Sequence, residues 1–135
     1  MPSLDKAESS EHKRIVKGLI DYLNQQGFKT VCAAHEGYNQ CDQIEQRIPD
    51  VMGQNDQGLL AIAEAKTCDD LTNDRGRTDD QFKIFSNRVM SSGNSKGKEV
   101  PFYVAVPKEC YNQLLQILKD LGLNDKSNII TLQYG

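Results

Sequence analysis

At 135 residues and 15.1 kDa the chain has the size of one domain and room for a single core. With 38% hydrophobic and 26% charged residues it lies in the ordinary globular range, which excludes an intrinsically disordered chain. Sixteen basic against nineteen acidic side chains leave a net charge of −3, which excludes nucleic-acid binding through a broad positive surface but allows a local basic rim.

The chain-order reading gives one domain over 1–135, with 1–8 as a flexible N-terminus. From Ser9 or Ser10, either a good N-cap, the segment EHKRIVKGLIDYLNQQGF puts Ile15, Val16, Leu19, Ile20, Tyr22 and Leu23 on one face at helical spacing. This helix should stop near Gly27. FKTVCAA reads as a strand and EGYNQCDQ as a polar loop. QRIPDVMG suggests a second strand, then a turn around Asn55 and Gly58 leads to a third, GLLAIAEAKT. CDDLTNDRGRTDD reads as a loop before a helix over 79–91, with Phe82, Ile84, Phe85 and Val89 as its apolar arc. SSGNSKGKE is a flexible connector. VPFYVAV is a strand, 108–121 a helix with Leu114, Leu115, Leu118 and Leu121 inward, and NIITLQY a last strand. The order αβββαβαβ predicts an α/β fold with a mixed central sheet between helices, a three-layer sandwich.

No apolar run approaches the roughly 18 residues of a membrane span, and MPSLDKAESSEHKR lacks the apolar stretch of a secretory signal. A soluble, cytoplasmic chain with no membrane partner is the expectation. Cys32, Cys41, Cys68 and Cys110, spaced 9, 27 and 42 apart with no CxxC pair, are read as reduced and mostly buried rather than as a zinc site.

The chemistry-bearing residues lie in the second and third strands. Strand alternation puts Glu64 and Lys66 on one face after Leu60 and Ile62, and Ala61, Ala63 and Ala65 on the other, a flat surface on which a helix can lie close. If the two strands pair antiparallel, Asp50 falls opposite Glu64. Two carboxylates and an ammonium then converge, and adjacent carboxylates repel unless a divalent cation lies between them. All-oxygen ligation suits Mg2+ or Mn2+, which would bind a phosphate oxygen and acidify a water. Lys66 could orient that water, help deprotonate it, or neutralise the growing charge. The implied chemistry is phosphodiester hydrolysis.

Pro49-Asp50, thirteen residues, then Glu64-Ala65-Lys66 resembles the signature of the PD-(D/E)XK nuclease superfamily, the restriction-endonuclease-like fold that includes Holliday-junction resolvases. The likeness covers about residues 8 to 106. It implies that Asp50 and Glu64 are metal ligands and Lys66 the catalytic lysine. Many members add a glutamate from the first helix; Glu8 and Glu11 are the candidates, with Glu11 preferred. His12, squarely in the apolar face, is read as a packed or helix-end histidine rather than a base. Some members carry a glutamine in the helix after the motif, where Gln81 stands, with Arg88 two turns on. Arg75, Arg77, Lys83, Lys96 and Lys98 are candidates for a phosphate-contacting rim.

Two functions follow. One is a Mg2+- or Mn2+-dependent endonuclease acting on DNA, which is favoured over RNA, with a homodimer or a partner protein supplying specificity. The other is a catalytically silent nuclease-like module, a binding or accessory subunit of a DNA-processing or mobile-element complex. A small-nucleotide enzyme is weaker, since no GxxxxGK phosphate loop is present.

Overall fold

The structure, a computed structural model, describes residues 10–135. α1 (Ser10–Gln25) is followed by β1 (Lys29–Ala33), β2 (Val51–Gln54) and β3 (Leu60–Ala65). Next come α2 (Cys68–Asn73), α3 (Arg75–Phe85) and β4 (Phe102–Pro107). A 3-10 turn (Lys108–Cys110) leads into α4 (Tyr111–Asp120), and β5 (Ile129–Tyr134) ends the chain's regular structure. The five strands form one sheet in the order β1-β2-β3-β4-β5. β1, β2 and β3 are antiparallel neighbours, whereas β3, β4 and β5 run parallel, so helices carry the chain across in the second half.

α1 buries Ile15, Val16, Leu19, Ile20 and Leu23, the i, i+4 stripe its sequence carries. It ends in a Schellman cap: Phe28 N–H donates to Leu23 O at 2.9 Å and Gly27 N–H to Asn24 O at 3.1 Å, with Gly27 at φ 91°. The left-handed conformation is the reason for glycine there. The apolar stripe packs on Ala61, Ala63 and Ala65 of β3, whose methyl groups let the helix approach the sheet closely. Across the sheet, Ile62, Phe102, Val104 and Val106 meet Leu71, Phe82, Phe85, Leu114 and Leu118 from α2, α3 and α4. Both faces of β3 are therefore covered, and the motif lies at the end of a strand buried on both sides.

Several expectations are corrected. The stretch read as a loop contains α2, because Thr67 accepts from Asp70 N–H while Asp70 accepts from Thr67 N–H, a capping box that starts a short helix in a polar sequence. α3 begins earlier than 79 and ends at Phe85, leaving Val89 exposed beyond it. In α4 the buried set is Leu114, Ile117 and Leu118, whereas Leu115 is 40% exposed. The cysteines are not free thiols: Cys32 is bonded to Cys41 and Cys68 to Cys110. Their Cα atoms lie 5.0 and 5.7 Å apart, a contact that linear spacing does not reveal. Among the described residues no helix is long and apolar enough to cross a membrane.

Candidate active site

Asp50 immediately precedes β2, Glu64 is the penultimate residue of β3, and Lys66 is the first residue beyond it. Val51 pairs with Ala63, so Asp50 lies opposite Glu64 where the two strands end together. The carboxylates are interlocked through the backbone. Asp50 N–H donates to Glu64 Oε1 at 2.9 Å, and Ala65 N–H donates to Asp50 Oδ2 at 2.9 Å. Each acid is therefore oriented by the strand that carries the other.

Lys66 is 5% exposed and its own N–H is fixed to Ala105 O of β4 at 3.0 Å. Its Nζ lies 3.7 Å from Glu64 Oε2 and donates to Gln81 Oε1. Gln81, 3% exposed on α3, thus supplies the neutral acceptor that a buried ammonium needs. α3 is held in phase by Thr78, fully buried, whose hydroxyl donates to Asp70 O of α2 at 3.2 Å. Glu64 is 1% exposed. Burial first, and the neighbouring Asp50 carboxylate second, push its pKa well above the usual carboxylate range; the Lys66 ammonium, the Asp50 N–H and His12 oppose the shift.

From α1 it is His12 that reaches the acids, its Nε2 donating to Asp50 Oδ2 at 3.2 Å. Glu11, one residue and about 100° of helix away, is half-buried and does not line the site, while Glu8 lies outside the described residues. A cavity of about 160 Å3 opens over the group, lined by His12, Ile48, Asp50, Glu64, Lys66, Asp70, Asp74, Arg77 and Gln81. The sequence does not single out Asp70 and Asp74 as site residues; the available signal is the Thr67 to Asp70 capping pair, which starts α2 directly after β3.

The remaining candidates divide. Arg77 lines the cavity, without an ion pair among the described residues. Arg88 does not continue the Gln81 face, because α3 stops at Phe85; it pairs with Glu45 at 3.0 Å, outside this cavity. Lys83, Lys96 and Lys98 are exposed and outside it too. Arg75 is bound to Asp79 at 2.5 Å and lies 3.6 Å from Asp120, and Arg47 is bound to Asp80 at 2.7 Å. The structure thus brings together Asp50, Glu64, Lys66, Gln81 and Arg77, adds His12, and leaves Glu11, Lys83 and Arg88 apart.

No protein-family model and no curated protein matches the chain. Among solved structures it is similar to the crystal structure of a repair endonuclease from Pyrococcus abyssi, at 18% identity and a TM-score of 0.44, covering 98% of this chain and 49% of that one. The chain thus spans about half the length of that neighbour.

Proposed function

We propose that the chain is a metal-dependent nuclease of the PD-(D/E)XK, restriction-endonuclease-like type that hydrolyses phosphodiester bonds of DNA. The observation that carries the reading is the meeting of Asp50, Glu64 and Lys66 at the open end of the β2–β3 hairpin, under an open polar cavity. One oxygen of each acid is committed to a backbone N–H. Asp50 Oδ1 and Glu64 Oε2 accept no hydrogen bond among the described residues, Glu64 Oε2 having only the Lys66 ammonium at 3.7 Å.

Two carboxylate oxygens are a donor set whose chemistry suits a hard divalent cation. A carboxylate raised in pKa by burial and by a second acid is one whose ionised form such an ion stabilises. Among the described residues no group of three or more His, Cys, Asp and Glu side chains is placed to hold a metal. Mg2+ and Mn2+ nevertheless bind through one or two carboxylates, with water and substrate phosphate oxygens completing the shell. Asp50 and Glu64 would be the ligands, and the ion would supply charge neutralisation at the phosphate and an acidified water.

The other residues have separable tasks. His12 Nε2 fixes the Asp50 carboxylate from α1. Gln81 holds the Lys66 ammonium at the cavity, where it orients an attacking water or neutralises charge on the phosphoryl oxygens. Arg77, which lines the cavity, would contact a phosphate oxygen.

The silent-module alternative has one observation in its favour. Arg47, Arg75 and Arg88 are each occupied by a carboxylate, which leaves a thin basic rim for a polyanion. Cleavage assays on supercoiled plasmid, single-stranded DNA and four-way junctions with Mg2+ or Mn2+ separate the two. Activity lost in folded Asp50→Ala and Lys66→Ala supports the nuclease; undiminished cleavage in either variant removes that residue from the mechanism. Binding without cleavage by the wild type supports the module.

A further inference from the structure

The sheet has two edges, and they differ in how they are guarded. β1 begins with Lys29, its register with β2 slips between Thr30 and Cys32, and its end is tied by the Cys32–Cys41 disulfide to the following loop. β5 has none of these devices. Ile129–Tyr134 contains no charge and no proline, pairs with β4 without a bulge, and has no fully buried residue. Sheets that remain single normally blunt such an edge with lysine, proline or a bulge.

The outward groups can be assigned. Phe102 pairs with Ile129, and Phe102 N–H donates to Asn128 O at 2.8 Å. In a parallel ladder that pattern turns the backbone groups of Ile130, Leu132 and Tyr134 toward β4, and those of Ile129, Thr131 and Gln133 outward. Ile129 N–H is taken by Lys126 O at 3.2 Å, whereas the outward groups of Thr131 and Gln133 have no backbone partner among the described residues. Each face of this edge also carries a concavity. One of about 200 Å3 lies on the α1 side beside Leu132 and Tyr134, and one of about 370 Å3 on the α4 side beside Thr131 and Leu115. A strand added here would direct alternate side chains into the two.

We propose that β5 is a self-association edge, on which a second copy of this chain pairs its own β5 antiparallel. Opposed residues of an antiparallel pair share a face, and only Thr131 and Gln133 offer a full set of free outward groups. The pairing that joins Thr131 of one copy to Gln133 of the other satisfies both demands, each such pair exchanging two N–H···O bonds. Its twofold axis lies at Leu132, and it places Ile130 against Tyr134, a β-branched residue on an aromatic. The strand is its own complement: it has no like charges to repel, and Thr131 and Gln133 each turn one donor and one acceptor outward. That is why the occupant is a second copy. The two sheets become one, and the cavity at Asp50, Glu64 and Lys66 is not needed for the contact, so the inference does not depend on the nuclease reading.

Sedimentation or light scattering of the full chain at tens of micromolar tests it. The expected mass is twice the 15.1 kDa of the chain. Gln133→Pro removes an outward N–H at an exposed position without touching the β4 ladder, and should give a monomer with an unchanged circular dichroism spectrum. Leu132→Lys and Leu132→Glu should each weaken association at least tenfold, and mixing the two variants should restore the dimer. A wild-type monomer at hundreds of micromolar, or a dimer that survives Gln133→Pro, overturns the proposal. So do folded lysine and glutamate variants that fail to pair; if these do not fold, the proline variant decides.

Discussion

Asp50 and Glu64 hold each other through the backbone: Asp50 N–H donates to Glu64 Oε1 at 2.9 Å, and the N–H that follows Glu64, that of Ala65, donates to Asp50 Oδ2 at the same distance. Two acids that repel when ionised are kept adjacent by peptide groups belonging to the opposite strand. Their position is therefore set by the β2–β3 register, and a one-residue slip of β2 would turn Asp50 to the face opposite Glu64.

This enforced proximity has a pH consequence in metal-free protein. The folded-state pKa of Glu64 is raised above its unfolded value near 4.5, by burial and then by Asp50. A raised acid contributes stability that is full below the unfolded pKa and is lost as pH climbs through the folded one. Thermal melts in chelator should show Glu64→Gln gaining on wild type as pH rises above about 4.5. A gap that stays constant with pH would contradict the assignment.

Gln81 is expected to act through Lys66. Replacing it with Leu leaves a buried ammonium without its neutral acceptor, at a cost of about 1–3 kcal/mol. The melting temperature should fall, and any cleavage rate should fall further than stability accounts for, with a shifted pH profile. Gln81→Leu with wild-type melting and rate would make the contact incidental.

His12 is expected to tune the acids. Residues that hydrogen-bond a ligating carboxylate typically change metal affinity 10- to 100-fold. Calorimetric titration with Mn2+ should therefore show at least about tenfold weaker binding for His12→Ala, with Glu11→Ala close to wild type. The reverse ranking would return the role to Glu11.

The central motif was legible because strand geometry is strict. Period-two alternation assigns Ala61, Ala63 and Ala65 to one face and Glu64 with Lys66 to the other, and the structure packs α1 on those alanines. Helix phase is less forgiving: Glu11 and His12 differ by one step, and which of them meets Asp50 depends on how α1 is set on the sheet. α2 carries no apolar periodicity to read, because its sequence is almost wholly polar, with Leu71 its one buried residue. Arg88 leaves the Gln81 face because α3 ends at Phe85, short of the helix the apolar spacing predicts. The disulfides were illegible for a different reason, since pairing at separations of 9 and 42 is a property of the fold.

Those disulfides carry their own expectation. Cys68 follows Lys66 by two residues and fastens the start of α2 to the turn before α4. Cys68→Ser with Cys110→Ser should cost about 2–4 kcal/mol in denaturant melts, the range for closing a loop of this length. Native-state thiol titration of the wild type should find no reactive thiol; four titratable thiols in the folded protein would contradict the pairing.

The most direct measurement is anomalous diffraction from crystals of this protein soaked in Mn2+. The account requires a manganese peak within bonding distance of one carboxylate oxygen from Asp50 and one from Glu64, absent from crystals of Asp50→Ala. A saturating soak that leaves that position empty, or puts the ion on other side chains, contradicts it.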